Sequence, residues 1–241
     1  WSSDVCSSDL WDFRKTFNIT VEQLQYDDAF IFFEGLDTHA DVFLNGSRIL
    51  QTENMFVGHK VPVKNILLEG ENKLYIRFYS PINIMMPARE TFGYEYPAGN
   101  DHRDEKLSVY NRKAPYHFGW DWGIRIVQMG IWKPVSIHFY NGARIEDYYV
   151  KQNSITKEVA VIDNQIEIYS LIDTPATISA GYIFKDNSNN KGSKDEVLQL
   201  DATGKNIMLK KGKNIVSLPI DIENPYLWMP VDWGEQHMYD C

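Results

Sequence analysis

Cysteine is almost missing from this sequence. Only Cys6 and Cys241 occur among 241 residues, one near each end, which excludes a disulfide framework and a Cys-x-x-Cys metal site. The redox compartment stays open. Positive charge is also short: 24 Lys and Arg stand against 33 Asp and Glu, for a net charge of −9. With no basic block to offset that balance, a nucleic-acid partner or an anionic membrane surface is disfavoured. No uninterrupted apolar stretch approaches the roughly 18 residues of a membrane span. No segment holds a 3.6-residue apolar period over the dozen residues that would mark a helix by pattern. The histidines, His39, His59, His102, His117, His138 and His237, show no i, i+4 or His-x-His spacing, so no metal site is implied. Gly-x-Ser-x-Gly and glycine-rich phosphate loops are missing too, which removes a serine-nucleophile elbow and a nucleotide cradle. The Asn-x-Ser/Thr triplets at Asn18 and Asn45 imply no glycosylation, because such triplets arise by chance and the second lies in a tight turn.

What is present is the composition of one or two globular domains, 44% hydrophobic and 14% aromatic. The periodicity is that of strands. Asp28 to Glu34 is a short apolar run bounded by acids, which suits a buried strand. Ala40–Leu44 and Arg48–Gln51 flank Asn45-Gly46, the dipeptide that supplies the positive φ angles of a two-residue hairpin turn. Lys73–Tyr79 alternates, placing Leu74, Ile76 and Phe78 on one face and Lys73, Tyr75 and Arg77 on the other. Val135–Phe139 repeats the pattern. After Asn141-Gly142 comes a new series of short strands: Arg144 to Val150, Gln165 to Leu171, Ile178 to Phe184, Val197 to Leu200 and Asn214 to Ile220. Lys/Gly/Asn-rich turns (Lys185 to Lys194, Lys210 to Lys213) separate several of them. The fold class is all-β, with two β-sandwich domains. The boundaries are 11–142, and 143–241 for a second, smaller sandwich of immunoglobulin type.

The alternation fails between Ser80 and Pro134. Residues 81–130 carry prolines and glycines interleaved with charges and aromatics, and read as a long loop. A loop of this length in a compact domain is usually functional, because ordering it costs entropy without filling a core. Residues 1–10 are unlike everything that follows, lack the regions of a signal peptide, and read as translated adapter sequence or a cloning scar. Both ends read as cuts, and the compartment is left open, with periplasmic or secreted placement among the options.

The sharpest motif is Tyr116-His117-Phe118-Gly119-Trp120-Asp121-Trp122-Gly123. Two tryptophans flank a carboxylate, and the glycines let the backbone turn tightly and aim the trio. An indole face stacks on the C–H face of a pyranose while a carboxylate accepts from sugar hydroxyls, so the combination suits a neutral polyol. The plainer alternative has Trp120 and Trp122 plugging the sandwich and Asp121 capping a turn. A second cluster, Asp101, Asp104 and Glu105 with His102, Arg103 and Lys106, reads as a solvated, self-paired loop. It could instead line a pocket entrance and meet a second sugar.

At this motif the sequence resembles the N-terminal region of the β-mannosidases of glycoside hydrolase family 2. The stretches that carry the likeness are FFEGLDTHADVFLNG (32–46), NMF (54–56), GENKLYIRFYSP (70–81), RKAPYHFGWDWGIR (112–125), GIWKPV (130–135), and NPYLWMP with WGEQ (224–230, 233–236). Together they span most of residues 11–241. The resemblance implies a jelly-roll, galactose-binding-like domain, then an immunoglobulin-like domain, then a (β/α)₈ barrel in cis that holds the catalytic acids. It implies that the long loop completes the −1 sugar subsite. Trp120 would pack on the terminal mannose, Asp121 would bind its O4 and O6 hydroxyls, and His117 and Trp122 would support the loop. The substrates would be β-mannoside oligosaccharides, with no cofactor.

One departure matters more than the matches. Retaining glycosidases need two carboxyl groups roughly 5–5.5 Å apart. The resemblance places both as glutamates on barrel strands, the acid/base in an Asn-Glu dipeptide. No Asn here is followed by Glu, and no βα alternation exists to build a barrel. The chain is therefore expected to hold no catalytic residue and to be inactive alone. Two alternatives stay open: a stand-alone carbohydrate-binding pair of sandwiches, and another specificity of the family, such as β-galactosidase or β-glucuronidase.

Overall fold

The computed structural model describes residues 10–101, 103–186 and 196–241, without the side chains of 185–201. The adapter-like residues 1–9 with Cys6, His102, and most of the Lys185–Lys194 turn lie outside the described residues. The chain divides into two compact units, before and after the Tyr140–Asn141 bond.

The first unit is built from β1 (Trp11–Ile19), β2 (Asp28–Phe33), β3 (Leu36–Asp37), β4 (His39–Leu44), β5 (Ser47–Glu53), β6 (His59–Pro62), β7 (Gly70–Tyr79), β8 (Gly130–Ile131) and β9 (Val135–Tyr140). One sheet runs β1-β7-β4-β5 and the other β6-β2-β9, with the short ladder β3-β8 beside them. Every pairing among them is antiparallel. The Asn45-Gly46 turn has φ of 50° and 85°, the geometry that matches strand twist in a two-residue hairpin. Asn45 and Asn72 brace it from below: Asn45 Nδ2 donates to Asn72 Oδ1 at 2.8 Å and to the Ile66 carbonyl at 3.0 Å.

Alternation along the strands turns Ile31, Phe33, Leu36, Val42, Leu44, Ile76 and Phe78 into one core, each almost fully buried. Each of these side chains contributes about 1.5–3 kcal/mol by leaving water. The opposite face of β7 meets solvent through charge. Asp12 stands across from Arg77 in the ladder and accepts from its Nε at 2.9 Å and from Tyr75 Oη at 2.8 Å. These hydrogen bonds, Arg77 first, pull the Asp12 carboxyl down to about 2. Strands β1 and β9 each end a sheet. Between them opens an apolar groove of about 770 Å³, lined by Phe13, Phe17, Ile31, Ile76, Ile137 and Phe139.

Two helices interrupt the strands: a single turn α1 (Val21–Leu24), closed by a Thr20/Gln23 capping box, and α2 (Pro81–Phe92). The second corrects the reading of 81–130 as loop throughout. Its apolar residues are too few and Pro87 sits inside it, so periodicity hides it. Its ends are nonetheless written in the sequence: Ser80 caps the Asn83 N–H, Pro81 takes the first turn, and Gly93 leaves in the left-handed conformation at φ 69°.

The second unit faces two three-stranded sheets. β10 (Ala143–Ile155), β11 (Val159–Ser170) and β14 (Gly212–Glu223) form one, in the order β10-β11-β14. β12 (Thr174–Asp186), β13 (Glu196–Leu209) and β15 (Tyr239–Asp240) form the other, in the order β13-β12-β15. The chain is all-β, two β-sandwiches in succession. The strands run longer than the short alternating cores seen in the sequence, because exposed ends such as 151–155 carry no apolar signal. Burial alternates through β11, with Ile162, Ile166 and Ile168 inward. Asn164 is fully buried at its centre and fully bonded: Tyr148 Oη donates to Oδ1 at 2.6 Å, Tyr182 Oη donates to the same atom, and Nδ2 donates to the Leu218 carbonyl at 2.8 Å. Burial first, then Tyr148, pushes the Tyr182 hydroxyl well above the usual tyrosine range.

Gly35 marks where the first unit tolerates no side chain. A Cβ there would lie 2.5 Å from Trp132 Nε1, a ring fixed by its bond to the Met55 carbonyl at 2.9 Å. Gly35→Ala is expected to cost about 1–3 kcal/mol by overpacking, lowering the thermal unfolding midpoint by roughly 2–10 °C. An unchanged midpoint would mean that Trp132 swings away freely.

Candidate functional site

The segment between α2 and β8 folds around a small core of its own. Leu107, Phe118 and Val127 are buried together, with Ile82, Met85, Met86 and Tyr110 packed on them. Two 3₁₀ turns, Leu107–Tyr110 and Pro115–Phe118, deliver the first two of those rings and chains to the interior.

Two buried charges organise its backbone. Asp101 is fully buried, accepting from the Leu107 and Ser108 N–H groups at 2.9 and 3.2 Å, and from Arg125 Nε at 3.2 Å. The Arg125 guanidinium lies over the Phe118 ring, 5.6 Å from its centroid. The cluster around Asp101 is thus not a solvated loop, which corrects the expectation. The first N–H groups of a 3₁₀ turn have no partner within the turn, and a carboxylate meets two of them at once. Asp104 does remain exposed, so the cluster separates into one interior carboxylate and a solvated remainder.

The second charge is Lys113, whose side chain has no exposed surface. Its Nζ stands 2.5 Å from Asp37 Oδ2 and also donates to the Gln128 carbonyl. Thr38 Oγ1 donates to the other oxygen of Asp37. Desolvation pulls the Lys113 pKa below the usual lysine value, and Asp37 opposes it. His117 comes to the same place, with Nδ1 3.8 Å from Asp37 Oδ2 and no hydrogen-bond partner among the described residues. Burial, then the Lys113 charge, lowers its pKa, while Asp37 raises it. His117 therefore packs on a buried ion pair, in surroundings that favour its neutral form.

Beyond His117 the chain makes a closed two-residue turn. Trp120 N donates to the Gly123 carbonyl at 3.4 Å and Gly123 N donates back to the Trp120 carbonyl at 3.0 Å, so Asp121 and Trp122 form its tip. Gly119, at φ 102°, swings the chain out of the 3₁₀ turn into it. Trp120 is 52% and Trp122 88% exposed. Among the described residues no hydrogen bond or ion pair occupies the Asp121 carboxylate. Trp120 and Trp122 do not plug the sandwich. Little of the Trp122 ring is covered by the described residues. The braces are Lys113, Asp37, Asp101 and Arg125. All four lie inside the resembling stretches or the charged cluster, yet a lone charge in a sequence carries no sign of its burial.

A polar cleft of about 760 Å³ on the face of β4 and β5 is lined by Asp41, Glu53, His59, Tyr79 and Met85. It offers little to a ligand, because Tyr79 Oη and Arg48 already occupy Asp41 at 2.8 and 3.5 Å. Neither this cleft nor the apolar groove includes Trp120 or Asp121. Among the described residues, neither of these hollows gives the turn a facing wall.

A family model described as the glycosyl hydrolase 2 galactose-binding domain-like unit matches residues 1–133. The chain belongs to glycoside hydrolase family 2. Among its relatives, "Beta-mannosidase B" of Thermothelomyces thermophilus is 33% identical over 226 residues, covering 88% of this chain and 23% of its own length. A "Probable beta-mannosidase" of Caenorhabditis elegans is 28% identical, over 97% of this chain and 26% of its own. The crystal structure of a β-D-mannosidase from Dictyoglomus thermophilum superposes with a TM-score of 0.82 at 33% identity, over 97% of this chain and 27% of that one. The chain thus spans about a quarter of the length of the relatives it matches.

Asp101→Ala would take the buried carboxylate away from the Arg125 guanidinium and from two backbone N–H groups, at about 3–5 kcal/mol. Limited proteolysis should then cut faster within residues 93–127, while hydrogen exchange in β2, β4 and β7 stays slow. Cutting at the wild-type rate would show that other contacts hold the segment. His117 gives a pH signature. Its pKa is lower folded than unfolded, so the unfolded chain binds the proton first as pH falls below about 6.5. Its contribution is complete above that pH and is lost as pH falls through the folded value. Thermal unfolding of His117→Asn is therefore expected to lose less stability than wild type on the acid side. Parallel pH curves would assign that proton elsewhere.

Proposed function

We propose that this chain is the non-catalytic N-terminal part of an exo-acting β-mannosidase that hydrolyses terminal, non-reducing β-D-mannose residues with retention of configuration. The segment 81–130 completes the −1 subsite. Trp120 offers its exposed face to the apolar side of the terminal pyranose, and Asp121 accepts hydrogen bonds from its O4 and O6 hydroxyls. The catalytic glutamates belong to a (β/α)₈ barrel in cis, one attacking the anomeric carbon and the other protonating the leaving oxygen. The observation that carries this reading is the Trp120–Gly123 turn, which holds an indole and an unengaged carboxylate side by side at the end of a braced excursion. A flat apolar wall beside a charged acceptor is what a polyol ring recognises. The absence of a facing wall among the described residues supports a half-site that a second domain closes. By blocking extension beyond −1, such a wall also makes the enzyme exo-acting.

In the full-length enzyme, Asp121→Ala removes two hydrogen bonds to a charged group, each worth about 1.5–3 kcal/mol. The value of kcat/KM on an aryl β-mannoside should fall roughly 100- to 10,000-fold. Unchanged kinetic constants would remove Asp121 from the subsite. The isolated chain should hydrolyse nothing and bind mannose or short β-mannans at most very weakly. Saturable binding by the isolated chain would instead favour a self-sufficient carbohydrate-binding module.

A further inference from the structure

The ion pair between Lys113 and Asp37 stands in an odd place for a stabilising contact. Both side chains are almost wholly desolvated. Such a pair often contributes no more to stability than two apolar residues of the same volume would. What it does contribute is direction. Asp37 belongs to the β3–β8 ladder, opposite Gly130, and is fixed to the sandwich. Lys113 lies on the arm that leads out to the Trp120–Gly123 turn, and Gln128, whose carbonyl also accepts from Nζ, on the arm that returns from it. One ammonium therefore ties the outgoing arm, the returning arm and the sandwich at a single point. The arm is held at its neighbours as well: the Met55 N–H donates to the Arg112 carbonyl at 3.0 Å, and the Ala114 N–H points at Met55 Sδ at 3.1 Å.

We propose that Lys113 and Asp37 are positioning residues, a pin at the base of the excursion that sets where Trp120 and Asp121 stand when the sugar reacts. An apolar pair would fill the same space but would leave the two arms free to slide by fractions of an ångström, enough to misplace contacts that matter in the transition state. The inference rests on the reading of Asp121 as a sugar ligand and says what makes that ligand effective.

The test is a double-mutant cycle in the full-length enzyme, with kcat and KM on an aryl β-mannoside and the unfolding midpoint recorded for each variant. Asp121→Ala alone checks the underlying reading: no effect would overturn that reading and this inference with it. Given a loss there, Lys113→Met should lower kcat/KM at least tenfold, mainly in kcat; the Asp37 carboxylate left buried without its partner lowers the midpoint as well, so rates are read at a temperature where the variant is fully folded. Combined with Asp121→Ala, it should add little, because it acts through the same carboxylate. A Lys113→Met enzyme with wild-type kcat/KM, or a loss that adds in full to that of Asp121→Ala, would overturn the inference while leaving Asp121 in place. If Lys113→Met alone fails to fold, the charge-free pair Lys113→Met with Asp37→Leu takes its place, and the same two outcomes decide.

Discussion

An ammonium group without exposed surface is stable only where its acceptors are fixed before it arrives. Lys113 meets that condition because Asp37 is held in a strand ladder and the Gln128 carbonyl is delivered by the returning arm of the same excursion. Much of what is distinctive in the first unit follows from this arrangement. The buried Phe118 and Val127 can pack only if their arms converge, and His117 packs beside the pair, its Nδ1 3.8 Å from Asp37 Oδ2. The Trp120–Gly123 turn projects from this base. A buried carboxylate at Asp101 repeats the device within the same segment, with Arg125 in the role of Lys113.

The β-sandwich could be read from the sequence where a strand shows one face to water and one to the core. Lys73–Tyr79 and the Asn45-Gly46 turn are examples, since alternation and positive φ are local properties. Helix α2 was hidden because Pro87 and a thin apolar face mask its period, although its caps at Ser80 and Gly93 were visible. The aromatic tip was legible from residue types alone. Its supports were not. Lys113, Asp37, Asp101 and Arg125 look in sequence like any solvated charge, and burial depends on partners 76 residues away for Lys113 and 24 for Asp101. Trp122 shows the converse: composition suggests a packed ring, and only the turn geometry exposes it.

The division of labour between the two sandwiches follows from where polar groups are tolerated. In the second unit the buried polar centre, Asn164 with Tyr148 and Tyr182, is neutral and closed on itself, a joint between facing strands that fixes register. In the first unit the buried polar groups include two charged pairs, Lys113 with Asp37 and Arg125 with Asp101, in the segment that carries the turn. Interior charge is concentrated where one geometry of a surface turn has to be selected over near neighbours, a demand that apolar packing meets poorly.

The groove between β1 and β9 gives the isolated first unit an adhesive side. Two sheet edges flank a trough of phenylalanine and isoleucine, the combination that templates an added strand. A chain released with this trough uncovered would recruit extended segments from its neighbours and drift into oligomers as its concentration rises.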